Sequence, residues 1–198
     1  MSSCYIDGVA TTRADPALRF DAGTPWLDLL ATVGGAYGST PTERLGGVPE
    51  LTAWLAHEGL TPQEPLTDAD VAAAREVREA LRPVVLAVLA HHEVDVVALE
   101  ALQPWLDRDE PLRVLSHAGR PIVDAPRTAV VALARVCRQA VEHLTGPERD
   151  HLGACADAEC HMAFLDPTGR RRWCSAERCG VRARVRAHRA KTRSGRDR

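Results

Sequence analysis

Up to Leu144, apolar residues recur at helical spacing, and glycine and proline mark the breaks between runs. Trp26, Leu29, Leu30 and Val33 predict a helix over Pro25–Ala36, with proline in its first turn and Gly34-Gly35 ending it. Gly38–Gly47 reads as a loop. Pro49–His57 predicts a short helix with Leu51, Trp54 and Leu55 on one side, closed by Gly59. Thr67 and Asp70 have the spacing of a capping box, and the helix after them sets Val71, Ala74, Val77, Ala80 and Leu81 on one face. Pro83 falls inside that helix, where a missing donor and a ring clash predict a kink or a break. Val94–Leu102 predicts a further helix, and Leu112–Leu115 with Pro121–Val123 a small hairpin about Gly119. Beyond Pro126 a strong helix runs to about Leu144, with Val130, Leu133, Ala134, Cys137, Val141 and Leu144 apolar and Gly146-Pro147 as its stop. The first twenty residues are poorly patterned.

The last quarter of the chain has a different grammar. Cys155, Cys160, Cys174 and Cys179 have the spacing C-x4-C-x13-C-x4-C, two close pairs separated by a hairpin-sized gap. One tetrahedral zinc ion needs such pairs. The competing readings are four reduced thiols without metal and two disulfides. His161–Asp166 alternates as a strand, Asp166-Pro167-Thr168-Gly169 carries type I turn residues, and Arg170–Trp173 reads as the returning strand. Ser175 is placed as a helix cap, which puts Cys179 in the first turn. With four thiolates the metal has no open position, so the ion is expected to be structural.

Charge sharpens the division. Thr168–Arg198 carries twelve Lys/Arg against two Asp/Glu, whereas the whole chain has a net charge of only −2. A basic tail therefore sits on an acidic body, a layout that points to nucleic acid. Arg178, Arg182, Arg186, Arg189 and Arg193 form one stripe of a helix, and Arg184 and Lys191 a second. Arg170, Arg171 and Arg172 add charge beside Trp173. Val181 and Val185 leave a thin apolar strip for packing. An acidic protein partner, the chain's own acidic domain and an idle solvated tail are the competing readings of this stripe.

Composition bounds the rest. A chain of 198 residues suits one domain plus a small module. Aromatic residues make up 4%, so the core must be built from Leu, Val and Ala. The longest apolar run, Val84–Ala90, is far below the roughly 20 residues of a membrane span. No secretory signal pattern opens the sequence, which with the cysteine pairs predicts a reducing, cytoplasmic setting. Enzymatic groupings are lacking. His91-His92-Glu93 is the one metal-like cluster outside the tail, and adjacent histidines diverge on a helix, so it reads as an exposed helix end.

The tail resembles the CGNR-type zinc finger. The match lies in the C-x4-C pair, Phe164-Leu165-Asp166, Arg171-Arg172-Trp173-Cys174-Ser175 and Cys179-Gly180 before the basic helix, with Val181 where that family has asparagine. The body is similar to the ABATE domain that commonly precedes this finger. Leu27-Asp28-Leu29-Leu30-Ala31-Thr32 resembles its Leu-Asp-x-x-Asn-Thr motif, with Ala31 in place of asparagine, and Glu43-Arg44-Leu45 and Leu51-x-x-Trp54-Leu55 also fit. The resemblance implies a stress-induced transcription regulator of bacterial type, a small-molecule ligand for the N-terminal domain and DNA for the finger.

The expected architecture is a mostly α N-terminal domain (α+β, with a small hairpin or sheet) plus a small treble-clef-like zinc finger with a C-terminal basic helix. The expected boundaries are 18–147 for the α-rich domain, 148–153 for a linker, 154–193 for the finger and 194–198 for a disordered tail. The finger is expected to take one zinc on its four cysteines and to contact DNA through Arg170, Arg171, Arg172, Arg178, Arg182, Arg184, Arg186, Arg189, Lys191 and Arg193. The first domain is expected to sense a ligand or mediate association, homodimerisation included. The alternative is a zinc-stabilised module that binds an acidic partner, or RNA, without sequence-specific DNA recognition.

Overall fold

The structure is a computed structural model that describes residues 18–36, 41–157 and 159–194. The expectations for residues 1–17, including Cys4, and for the tail from 195 onward lie outside the described residues. The elements follow in chain order. Helix α1 spans Pro25–Leu30, and strands β1 (Val33–Gly34) and β2 (Thr42–Glu43) pair antiparallel. Helices α2 (Val48–His57), α3 (Asp68–Leu89), α4 (Val96–Glu100) and α5 (Gln103–Leu106) come next. Strands β3 (Val114–His117) and β4 (Arg120–Val123) form a hairpin, followed by α6 (Ala129–Thr145). A 3-10 turn at Pro147–His151 leads directly into β5 (Leu152–Ala154), which pairs with β6 (Ala163–Leu165). A π-type turn at Ala176–Gly180 then opens α7 (Val181–Ser194).

Several expected elements are modified. Helix α1 stops at Leu30, not Ala36, because the buried Thr32 hydroxyl turns back to the Leu29 carbonyl at 2.6 Å. The Thr32 carbonyl accepts from Arg44 N at 2.9 Å, which brings the β2 side of the chain alongside. Val33-Gly34 and Thr42-Glu43 thus become strands where a helix end and a loop were expected. Helix α3 runs unbroken through Pro83 for 22 residues, its start fixed by the Thr67–Asp70 capping box. The expected Val94–Leu102 helix is a shorter α4, and Pro104 then opens α5, which buries Trp105. The β3–β4 hairpin turns at Ala118 (φ 49°) and Gly119 (φ 75°), two successive left-handed residues as a tight hairpin turn requires.

The core gathers α1, α3 and α6. Trp26, Leu27, Trp54, Leu81 and Leu133 are fully buried in it. A buried large apolar side chain contributes about 1.5–3 kcal/mol, so these few residues account for much of the driving force. Trp26 Nε1 donates to His143 Nδ1 at 3.1 Å, tying α1 to α6. Cys137 is buried on α6 and its thiol is pushed up to about 11 by burial, as befits an inert core residue. The same core continues without a break into Phe164 and the four cysteines of the tail.

A charged layer closes the core beside β1–β2. Arg78, on α3, donates to both carboxylate oxygens of Glu43 at 2.8 and 2.7 Å, to Thr32 Oγ1 at 2.9 Å and to Glu79 at 2.8 Å. Arg44 Nη1 donates to the Ala31 carbonyl at 3.2 Å. Thr32, Glu43 and Arg44 of the quoted motifs are therefore structural partners in one network.

Candidate metal centre and basic helix

The β5–β6 hairpin brings the first cysteine pair to its tip. Cys155 follows β5 and Cys160 precedes β6. Cys155 N donates to the Met162 carbonyl at 3.0 Å, closing the loop between them. The Asp157 carbonyl accepts from Cys160 N at 2.8 Å and His161 N at 3.0 Å, a tight knuckle. The second pair arrives from below. Asp166 and Gly169 close the expected turn at 3.1 Å, with Gly169 at φ 64° and the Asp166 carboxylate holding Thr168 and Arg171 N–H. Ser175 caps the π-type turn by accepting from Arg178 N at 3.2 Å, and Cys179 lies in that turn.

One part of the expected finger differs. Arg170–Trp173 forms no strand, and the partner of β6 is the upstream β5. Arg171 explains the difference. Its guanidinium donates to the carbonyls of Leu165 at 3.2 Å, Asp21 at 2.9 Å and Cys174 at 2.6 Å, and stacks 4.5 Å over Phe164. The side chain fixes this segment in place of a ladder. Gly153 leaves room for Phe164, since a Cβ there would come within 2.8 Å of the ring.

All four cysteines are buried, and their sulfurs lie within 4.8 Å of one another. Cys160 and Cys174 Sγ are 3.6 Å apart and Cys174 and Cys179 Sγ 3.4 Å. Zinc–thiolate bonds of about 2.3 Å in a tetrahedron separate the sulfurs by about 3.8 Å, so the quartet fits that ion. The sulfur–sulfur contacts put thiol protons within reach of neighbouring sulfurs. Cys155 is held low by bonds from Cys160 and Cys174, while Cys160 is raised by the same neighbours. Cys174 is pushed up to about 12, chiefly by Cys155. Four thiolates side by side need a cation, and a divalent ion displaces those protons. None of the four pairs as a disulfide.

Two arginines reach the sulfurs. Arg182 Nη2 donates to Cys179 Sγ at 2.9 Å, and Arg19 Nη1 to Cys174 Sγ at 3.4 Å. Burial alone would lower the pKa of Arg19, but Asp21 and Cys174 more than offset it and hold it above its ordinary value. Such donors offset the negative charge of a four-thiolate zinc centre. Arg182 is legible in the spacing. Arg19 lies 155 positions from its sulfur and carries no local signal.

The chain matches the family model for ABATE, described as "Putative stress-induced transcription regulator", over residues 23–147. It belongs to the ABATE family. Residues 151–192 match the CGNR zinc finger. The four clustered cysteines of that finger hold one structural zinc. Both families are of regulator and zinc-finger type. No curated protein matches the chain. Among the described residues, no helix is long and apolar enough to cross a membrane.

The arginines separate by environment. Asp157, buried inside the knuckle, accepts from Arg186 Nη2 at 2.6 Å and pairs with Arg182 Nε at 3.2 Å. It pins the base of α7 to the metal loop, a role that its position between two ligands did not signal. Arg170, Arg172, Arg178, Arg184 and Arg189 are exposed, and Arg172 lies 5.0 Å over Trp173. Lys191 and Arg193 fall within α7 by backbone position. Val181 and Val185, expected to pack, are 41% and 42% exposed. His161 is exposed beside the ligands and the quartet is complete without it.

Proposed function

We propose that the chain is a transcription regulator that contacts DNA through its basic helix and senses a small molecule or partner through its N-terminal domain. One observation carries the reading: the four-cysteine cluster and Asp157 fix the base of a helix on which Arg184 and Arg189 are exposed. Arg170, Arg172, Arg178, Arg184 and Arg189, with Lys191 and Arg193 further along, would hold phosphates. Arg182 and Arg186 would set the direction of the helix while keeping part of their charge toward DNA. Arg171 would support the fold of the DNA-facing segment. Phosphate contacts position a protein and do not identify bases, so the reading covers DNA contact and no target sequence. The sensor would span 18–147 and the finger 154–193. Association of two copies belongs to the same reading, with the exposed Val114 and Val123 of β3–β4 as its apolar surface.

The test is a salt titration of binding to duplex DNA and to RNA. If about five arginines meet phosphates, the log–log slope on duplex DNA is roughly −4.5. Absence of salt-sensitive binding to any duplex refutes the reading. A second reading, an acidic protein partner, is favoured by the carboxylate of Asp157 already held between Arg182 and Arg186. Binding to neither nucleic acid would move the interpretation there, and binding to RNA alone would make RNA the partner.

A further inference from the structure

The β3–β4 hairpin is exposed along both strands and on both faces. Val114 and Val123 lie on one face at 69% and 53% exposure, Leu115 and Ile122 on the other at 46% and 42%. A two-stranded hairpin left open on both faces is marginal in water, and further strands stabilise it. The register shows where they can be added. Asp124 N donates to the Arg113 carbonyl at 2.8 Å, so the residues bonded across the hairpin are Arg113–Asp124, Leu115–Ile122 and His117–Arg120. The N–H and C=O groups of the residues between them point outward. On the β4 edge these residues are Pro121 and Val123, and proline has no N–H to give. On the β3 edge they are Val114 and Ser116, with every donor and acceptor intact. Among the described residues, neither makes a backbone bond beyond the hairpin.

We propose that the β3 edge pairs antiparallel with the β3 edge of a second copy of this chain, about a twofold axis at Leu115. Val114 of each copy then exchanges both backbone bonds with Ser116 of the other. Leu115 meets Leu115 of the second copy in the closer, non-bonded type of pair. Because Leu115 already faces Ile122 within the hairpin, an unbroken apolar row runs across the joined sheet, from one Ile122 to the other. Two points favour a second copy over other strands. This register makes the edge its own antiparallel complement, and Pro121 blunts both outer edges, so growth stops at two copies. An edge of four residues a side buries less than the roughly 1,000 Å² of a stable interface. The dimer is therefore a transient one, with a dissociation constant on the order of 100 µM. The inference rests on the association of two copies proposed above, and gives it an edge, a register and a symmetry.

The test is sedimentation equilibrium of the full zinc-loaded chain without DNA, from about 10 µM to about 1 mM, with amide hydrogen exchange followed by NMR at both ends. The average mass should rise from one chain toward two and no further. At the higher concentration, exchange at the Val114 and Ser116 amides should slow about fivefold, while Val123, on the outer edge, keeps its rate. Leu115→Lys sets two like charges together at the axis and should weaken association about tenfold, with zinc content and unfolding midpoint unchanged. His117→Glu places a carboxylate beside Arg113 of the second copy and should tighten association about threefold. Val97→Lys, on the exposed face of α4, adds the same charge as Leu115→Lys elsewhere and should change nothing. A chain that stays monomeric at the top of the range, growth beyond two copies, slowed exchange at Val123 alone, weaker association in His117→Glu, or equal loss in Val97→Lys overturns the proposal. A monomer leaves the DNA contact standing, and failure of DNA binding leaves these measurements standing.

Discussion

Arg19 Nη1 donates to Cys174 Sγ at 3.4 Å, so a residue ahead of the first helix touches a zinc ligand near the end of the chain. Two more contacts run beside it. Leu165 N donates to the Ala22 carbonyl at 2.7 Å, and Arg171 to the Asp21 carbonyl at 2.9 Å. Residues 18–23 therefore strap the body across the finger.

Loss of zinc is expected to loosen both parts. Spacing alone suggests that Cys174→Ser unfolds the tail and spares the body. The shared core and the strap give a different outcome. Chelation or Cys174→Ser should release about one zinc per chain and lower the unfolding temperature read at the body tryptophans Trp26 and Trp54. Zinc is worth about 10–16 kcal/mol to isolated finger peptides, so the effect should be large. An unchanged near-ultraviolet circular dichroism transition would refute the coupling.

Adjacent arginines should behave differently. Arg172→Gln is expected to leave stability unchanged and to reduce the DNA salt slope by about one. Arg171→Gln removes donors to three carbonyls and the contact with Phe164. It should cost about 2–3 kcal/mol in denaturant unfolding with zinc present. The reverse ranking of the two variants would contradict the placement of Arg171.

Asp28 gives a pH signature. Burial pushes its carboxyl up to about 7, against the opposing Ala22 N–H bond, with Glu58 and Asp21 adding to the rise. A raised folded pKa means that the folded state binds the proton more tightly than the unfolded state. The associated stability is full below about pH 4 and is lost as pH rises toward 7. Asp28→Asn should therefore be more stable than the parent at pH 8, by on the order of 1–3 kcal/mol, with the gap closing at pH 4. Chemical denaturation at the two values checks it, and a gap independent of pH would exclude Asp28 as the source.

Arg78→Met tests the charged layer. It leaves Glu43 without its two strongest bonds and Thr32 without its donor. Glu43 is partly exposed and solvent screens some of the loss, so the expected cost is about 2–3 kcal/mol. Double substitution with Glu43→Gln should cost less than the sum of the two singles. Additivity would show that the pair is not coupled.

Local chemistry was legible along the chain. The cysteine spacing, the Asp166–Gly169 turn, the Ser175 cap and the capping box at Thr67 each involve residues a few positions apart, and each formed where the residues placed it. The long helices α3 and α6 were equally readable, because a sustained apolar period has no other use than one buried face. The ends of α1 and α4 were not readable. They depend on Thr32, Arg44 and Pro104 choosing among partners that lie elsewhere in the fold or in the next turn.

By itself the sequence determined the zinc quartet, the basic stripe and the helical body, because spacing and period are local properties. Tertiary structure decided which charges are spent and which are exposed. It buried Asp157 under Arg182 and Arg186, committed Arg171 to three carbonyls, and set Arg19 against Cys174. A guanidinium reads the same on the page whether it meets solvent or a buried carbonyl. Only the packing of distant segments fixes its partner, and hence whether its charge serves the fold or faces outward.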